Sequence, residues 1–231
     1  MRKKQVLLLL IGILSLSAIH AQQVLKINFD NIKQKIDDST NIFYYPSLIS
    51  RAKALDTTMT GDDYFMLYYG NAFYPAYNPY AVSDVEDAFF ELIDKEKYAE
   101  AITQGALVLN ENPVNLKIAY YMILCYHLSG DTQMARKYAH LFFGMLNAIM
   151  VSGDGRSVES AYVVLKVADE YMVLNDMNLT SAGQALVGMT DKLTIETKGQ
   201  KPPKGEKKIK ELYFNVEMPF GYMIKQTQKT D

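Results

Sequence analysis

Apolar residues recur at helical spacing through the first two thirds of the chain. Phe29, Ile32 and Ile36 stand at i, i+3 and i+7, which places one apolar stripe on a short helix. Pro46 fits the first turn of a second helix, where a proline loses no helical hydrogen bond. Similar patterns follow, and together they predict a helical region over residues 22–150.

Two of these helices carry capping signals at their starts. Thr60 with Asp63, and Ser83 with Glu86, follow the capping-box pattern. In that pattern the first side chain accepts a hydrogen bond from the third helical amide, and the acid accepts one in return from the capping residue. We therefore predict that helices begin directly after Thr60 and Ser83.

Residues 64–80, YFMLYYGNAFYPAYNPY, hold six tyrosines and two phenylalanines in a chain that has no tryptophan. In the first part, Phe65, Tyr68, Tyr69 and Ala72 recur at i, i+3, i+4 and i+7. This spacing predicts the buried face of a helix.

The second part of the same stretch cannot be helical, because Pro75 and Pro79 interrupt it. Tyr74, Tyr77 and Tyr80 lie on this extended segment and are candidates for a binding surface. The alternative is that their rings pack over the helix that follows.

Residues 84–149 are predicted to form two degenerate helical repeats of the tetratricopeptide type. The residues that fit the offsets of a repeat of about 34 residues are Tyr98, Ala101, Pro113, Tyr126, Gly130 and Ala135. Two repeats are fewer than the usual minimum of about three, so the flanking segments must share their core. A groove between the helices, with Tyr120, Tyr121 and Tyr126, is the predicted place for a peptide or protein partner.

After Met150 the pattern changes to that of a small sheet. AYVVLKV, DKLTIET and ELYFNVE read as strands and ADEYMVLND as a helix, while the lysine-rich KGQKPPKGEKKIK joins the last two strands. The expected fold class is α+β and mainly helical, a tetratricopeptide-like (TPR-like) body of α-hairpins with a small C-terminal antiparallel sheet of two or three strands. We expect residues 151–231 to pack on the helical region as one structural unit.

The start of the chain has the features of an export signal. A basic end precedes an apolar run from Val6 to Leu16, and Ala21 supplies a small residue at a plausible cleavage point. We expect residues 1–21 to be removed and the protein to be periplasmic or secreted. No cysteine near the cut offers a lipid anchor, and no second apolar segment has the length for membrane insertion.

Charge and cysteine content exclude several classes of function. Loss of residues 1–21 leaves 21 of the 24 basic residues against 26 acidic ones, a net charge of −5, whereas a nucleic-acid partner would need a basic face. The single cysteine, Cys125, stands among apolar residues and has no partner for an internal disulfide. We expect it to be buried and inert rather than a nucleophile.

Three separated phrases resemble one family. They are DTTMTGDDYFMLYYGNAFYPAYNPY, SGDGRSVESAYVVLKVADEYMVL, and DKLTIET with ELYFNVE, in that order. Together they are similar to an uncharacterised family of exported Bacteroidetes proteins, a domain of unknown function built partly of TPR-like helices. The resemblance covers residues 29–216 and implies fold and export, but the family has no assigned catalytic or binding residues to carry over.

Candidate chemistry in the sequence is sparse. Asp154, between two glycines in GDGRS, is a candidate loop site for an ion, and a purely local turn role is the alternative. Cys125 and His127 point to different faces of a helix, which disfavours a nucleophilic pair. The acidic pairs Asp62–Asp63 and Asp169–Glu170 have the groups that glycoside hydrolysis needs, but the sequence cannot bring them together. We expect no metal and no cofactor.

These observations favour a non-catalytic protein that binds a peptide or protein partner on a TPR-like scaffold. A glycan-binding accessory protein, with exposed tyrosines as stacking platforms, is the alternative. A hydrolase with unrecognised carboxylates is the third hypothesis.

Overall fold

The structure, a computed structural model, describes residues 26–81, 83–202, 205 and 207–228. The export signal predicted for residues 1–21 lies outside these ranges. The helices are α1 (Phe29–Asp37), α2 (Tyr45–Lys53), α3 (Gly61–Gly70), α4 (Asp84–Asp94), α5 (Tyr98–Glu111), α6 (Leu116–Leu128), α7 (Thr132–Met150), α8 (Val167–Asp176) and α9 (Glu217–Thr227). The strands are β1 (Tyr162–Val163), β2 (Ser181–Val187), β3 (Thr190–Ile195) and β4 (Glu211–Asn215). No helix in the described ranges has both the length and the apolar character to cross a bilayer.

The predicted helix starts are confirmed, and one capping box is complete. At α3 the Thr60 side chain accepts from the Asp63 amide, and the Asp63 carboxylate accepts from the Thr60 amide at 2.8 Å. At α4 only half of the box forms. Ser83 Oγ accepts from the Glu86 amide at 3.4 Å, while the Glu86 carboxylate accepts from Asn115 Nδ2 at 2.6 Å and so ties α4 to the start of α6.

The middle of the chain forms two helical hairpins. Residues 95–97 join α4 to α5, and residues 129–131 join α6 to α7. A Cβ atom on Gly105 would lie 2.7 Å from the Phe89 ring of α4 and 2.5 Å from the Met122 sulfur of α6. Glycine at this position therefore allows α5 to approach both of its neighbours closely.

The sheet differs from the predicted one in size and direction. Four strands form a mixed sheet in the order β1-β4-β3-β2, whereas two or three antiparallel strands were expected. The β2–β3 and β3–β4 pairs are antiparallel, but β1 pairs with β4 in parallel. β2 was not predicted, because SAGQALV has glycine, alanine and glutamine where strands usually have β-branched residues. α9 was not predicted either; its Pro219 lies in the first turn, where proline is tolerated.

One cluster of buried apolar side chains runs from Ile32 on α1 to Val216 after β4. The largest wholly buried aromatic residues come from α3, α4, α7 and β4 and are Tyr68, Tyr69, Phe89, Phe142 and Phe214. Helices and strands thus contribute to the same apolar cluster. The division of the chain at residue 150 stays a prediction.

The loop after α7 folds back on itself and leaves no room for a side chain at Gly153. A Cβ atom there would lie 2.5 Å from the Ala161 carbonyl oxygen and closer still to that of Ser160. We expect Gly153→Ala to lower the free energy of unfolding by about 3 kcal/mol, because the clashing atoms are backbone and cannot rotate away. Gly61→Ala, where a Cβ meets nothing within 4 Å, is the control and should stay within about 0.5 kcal/mol. Equal urea midpoints for the two variants would contradict the tight packing of this loop.

Candidate functional site

Three buried acidic side chains meet between α8 and β3. Asp169 and Glu170 lie in the first turn of α8, and Asp191 is the second residue of β3. All three are buried, and Glu170 is 0% exposed. We call these three residues the acid cluster. A charged carboxylate loses its hydration on burial, so each member needs either a hydrogen-bond partner or a proton.

Tyr68 on α3 supplies the partner for Asp169. Its hydroxyl donates to Asp169 Oδ2 at 2.7 Å and accepts from the Leu165 amide at 3.0 Å. The Tyr77 hydroxyl donates to the Leu165 carbonyl at 2.7 Å, which fixes the same backbone segment from the other side. Burial raises the pKa of Asp169 to about 6, although the Tyr68 hydrogen bond and the positive charge of Lys166 oppose the rise.

Glu170 and Asp191 form a carboxyl pair. No N–H or O–H group of the described residues donates to either carboxyl oxygen of Glu170. Burial, together with the neighbouring Asp191 carboxyl, raises the pKa of Glu170 to about 9. Near pH 7 Glu170 is therefore protonated, and Asp191 is the acceptor within reach of its proton. Asp191 Oδ2 also accepts from Gln184 Nε2 on β2 at 2.7 Å.

Asp191 also faces a surface cavity of about 450 Å³, which we call the β2 cavity. Its lining residues come from β2, β3, α8, α9 and the segment before α4 and are Tyr80, Val167, Gln184, Ala185, Leu186, Asp191, Phe220 and Met223. Asp191 is the only acidic residue among them. The described residues that line a second cavity, of about 490 Å³, are residues 26–30, and they hold no comparable cluster of functional groups.

Of the tyrosines predicted as a binding surface before α4, Tyr80 is the exposed one. Tyr77 is 8% exposed and its hydroxyl is bonded within the core, so it is not available to a ligand. The half-buried Tyr74 packs its ring 5.5 Å from that of Tyr45. Tyr80 is 44% exposed and lines the β2 cavity.

The tyrosines predicted for a groove between the hairpins are half-buried and pack against other rings. Tyr120 lies 5.3 Å from Phe142 on α7, measured between ring centroids. Tyr121 lies 5.1 Å from Phe90 on α4. Tyr126 stacks on Tyr138 of α7 at 5.3 Å. These rings join neighbouring helices to one another.

Asp154 organises its own loop. Its Oδ1 accepts hydrogen bonds from the Arg156 amide at 2.9 Å and from Ser160 Oγ at 2.6 Å. Gly155 has a φ of 66°, a conformation that favours glycine. These contacts agree with the turn alternative for Asp154.

The remaining reactive groups do not form a site. Cys125 is wholly buried, and burial raises the pKa of its thiol to about 11. Within the described ranges, no set of three His, Cys, Asp or Glu side chains is arranged to hold a metal ion. Asp63, from the first acidic pair, caps α3 and pairs with Arg51 at 3.1 Å.

The acid cluster was only partly visible in the sequence. Asp169 and Glu170 stand out as a pair of acids among apolar residues, but Asp191 is 21 residues beyond Glu170 and looks like an ordinary strand-start residue. Side chains alternate between the two faces of a strand, so Asp191 in DKLTIET lies on the same face as Leu193, which is buried. An acidic residue two positions before a buried leucine in the same strand is therefore the sequence signal for a buried Asp191.

Comparison with known proteins identifies a family but no characterised relative. The family described as Domain of unknown function (DUF4919) matches residues 30–224. No curated protein and no solved structure gives a significant match. The match spans both helical hairpins, the acid cluster and all four strands. The chain therefore belongs to the DUF4919 family.

Proposed function

We propose that this protein binds an extended peptide segment of a partner protein, without catalysis, along the free edge of β2. The observation that carries the proposal is the position of β2. Among the described residues it is the last strand in the sheet order and pairs with β3 alone, and six of its seven residues are exposed. A strand in this position offers unpaired amide and carbonyl groups to an incoming chain.

Nothing in the sequence of β2 protects that edge from pairing. Native edge strands usually carry lysine or proline, or a bulge, that prevents association with other chains. SAGQALV has neither charge nor proline, and its bulge lies at the far end, between Ser181 and Gly183. The lysine-rich link joins β3 to β4, which are inner strands of the sheet, so its lysines are not part of β2 itself.

The hairpin geometry shows which peptide groups face outwards. Gly188 and Met189 form a two-residue turn between the paired residues Val187 and Thr190, and Gly188 has a φ of 62°. Because the pair that closes such a turn is hydrogen-bonded, alternation along β2 directs the amide of Leu186 away from β3. That group is available to a partner strand.

An apolar surface lies next to the edge. Three large side chains that line the β2 cavity, each more than 40% exposed, belong to it: Tyr80, Leu186 and Met223. Peptide recognition by strand addition takes affinity from the main chain and specificity from pockets for alternate side chains. The β2 cavity is such a pocket.

The finer features of the scaffold and location belong to this proposal. The two hairpins and the close approach at Gly105 support a TPR-like body that carries the sheet. The basic and apolar pattern of residues 1–21 supports export to the periplasm or the exterior. We infer that the protein acts there as a binding module.

The acid cluster favours binding over hydrolysis. A glycoside hydrolase needs two carboxyl groups that flank the substrate. Asp191 faces the β2 cavity, but Glu170 is completely enclosed behind it. Glycan binding is the second candidate, because the exposed Tyr80 ring lies beside the polar groups of Gln184 and Asp191.

Selection of peptides tests the proposal directly. A library of displayed random ten-residue peptides is selected for binding to the protein of residues 22–231. We expect Leu186→Gln to weaken the binding of the selected peptides about tenfold, because apolar contact worth about 1.5 kcal/mol is lost. Leu107→Gln is the matched control, since Leu107 is 53% exposed on α5 and Leu186 is 50% exposed. Its affinities should equal those of the wild type.

The same peptides also test strand addition. Leu186→Pro removes the outward amide, and N-methylation of alternate peptide residues removes the matching donors, so each should abolish binding. The proposal fails if no peptide is selected, if Leu107→Gln weakens binding as much as Leu186→Gln, or if N-methylated peptides bind as well as the parent peptides.

A further inference from the structure

We propose that the β2 cavity binds a basic side chain of the partner peptide, an arginine or lysine, with Asp191 as its counter-ion and Glu170 as a second acid behind it. This inference rests on the proposed function and assigns the chemistry of its ligand.

The first support is an excess of buried acid without a paired cation. None of the ion pairs in the described part of the chain includes Asp169, Glu170 or Asp191. The nearby charge of Lys166 acts on Asp169. Among the described residues, the Gln184 amide and the Glu170 carboxyl are the donors to Asp191. A cation in the cavity would supply the missing charge.

The second support is Glu170 itself. Its two carboxyl oxygens are inaccessible and receive no hydrogen bond from the described residues. Buried polar groups nearly always have their hydrogen-bonding capacity filled, so a buried carboxyl that accepts no hydrogen bond, with its proton directed at the acid that faces the cavity, points to a missing component. Glu170 does not touch the ligand, and it adds charge behind Asp191 when a cation binds.

The walls of the cavity fit the stem of a basic side chain. Val167, Leu186, Phe220 and Met223 supply apolar surface around the single carboxylate of Asp191. Arginine and lysine carry apolar stems of three or four carbons that pack on such surfaces. The exposed ring of Tyr80 also lines the cavity, and an aromatic ring is a suitable contact for a guanidinium or ammonium group. A bare metal ion would gain no favourable contact from these apolar walls.

Binding of a cation is linked to loss of the Glu170 proton. The titratable groups around Glu170 are Asp191 on β3 and Asp169 on α8, with Tyr68 on α3 and the Tyr77–Tyr80 segment further out. A cation beside Asp191 stabilises ionised Glu170, so affinity rises with pH until Glu170 ionises in the free protein as well. A guanidinium stays charged throughout this range.

Two small probes of the same shape test the charge requirement. n-Butylguanidinium and its neutral analogue n-butylurea are titrated into the protein of residues 22–231. Binding is monitored through the NMR signals of the Gln184 side-chain amide and the Tyr80 ring. We expect the guanidinium to bind at least about fivefold more tightly, and more tightly at pH 9 than at pH 6. Asp191→Asn should remove the preference, and Glu170→Gln should remove the pH dependence.

Asp62→Asn, at an exposed acid of α3, is the control and should behave as wild type. Equal binding of the two probes, or a preference retained in Asp191→Asn, overturns the cation site. Failure of the two proposals can be told apart. A guanidinium preference without any selectable peptide supports the cation site and rejects peptide binding. Peptides that bind at β2 without a basic residue reject the cation site alone.

Discussion

Glu170→Gln is expected to match the wild type in stability near pH 4 and to exceed it by several kcal/mol near pH 9. Folding holds the pKa of Glu170 at about 9, against an ordinary value of 4.5. A raised folded pKa contributes stability below the unfolded value, and that contribution is lost as the pH rises through the window from 4.5 to 9. The loss is at most about 1.4 kcal/mol for each pH unit.

Glutamine reproduces the protonated acid. Its amide donates to Asp191 as the carboxyl proton does, and it has no proton to lose. The measurement is urea unfolding of both proteins between pH 4 and pH 9. Glu91→Gln, at an exposed position of α4, is the control for the removal of one carboxylate. Parallel profiles for wild type and Glu170→Gln would show that Glu170 is not held protonated by the fold.

Tyr68→Phe is expected to lower the free energy of unfolding by about 3–5 kcal/mol. The substitution leaves the ring in place but removes the hydroxyl that donates to Asp169 and accepts from the Leu165 amide. The buried Leu165 amide would then lack its acceptor and the buried Asp169 carboxylate its hydroxyl donor, and an unpaired buried group costs about 1–3 kcal/mol, or more when it is charged.

Tyr69→Phe is the matched control for that loss. Tyr69 is as deeply buried as Tyr68, but the hydrogen-bond partners of its hydroxyl are uncharged: the Val163 and Ala148 carbonyls, at 3.0 and 3.3 Å, and the Ser152 side chain. Loss of the Tyr69 hydroxyl should lower the free energy of unfolding by about 1–2 kcal/mol. Adding Asp169→Asn to Tyr68→Phe should recover part of the lost stability, because the uncompensated acid is removed. Equal costs for Tyr68→Phe and Tyr69→Phe in denaturant melts would reject the special role of the Tyr68–Asp169 pair.

Local rules account for the helical half of this protein. The apolar spacing of Ile32 and Ile36 and the capping signal at Thr60 act over a few residues, and their helices form as predicted. The same rules failed for β2. The residues of β2 have a low strand propensity, and pairing with β3 through a tight turn at Gly188 overrides it.

The candidate site illustrates the same limit. From the sequence, Tyr74, Tyr77 and Tyr80 were equivalent members of an extended segment. Tyr77 reaches the Leu165 carbonyl, 88 residues away, and is buried, whereas Tyr80 three residues later remains exposed. The sequence could not distinguish them, because no local pattern encodes which ring meets a distant carbonyl.

The mainly helical α+β class and the helix starts could be predicted from the amino-acid sequence alone, since these depend on periodicity, caps and composition within short windows. The order and direction of the four strands, the free edge of β2 and the meeting of Glu170 with Asp191 could be found only in the folded chain. The reason is that burial and pairing join residues far apart in the chain. A carboxyl that looks like a solvated helix start becomes, once enclosed by β3, the most perturbed acid of the described residues.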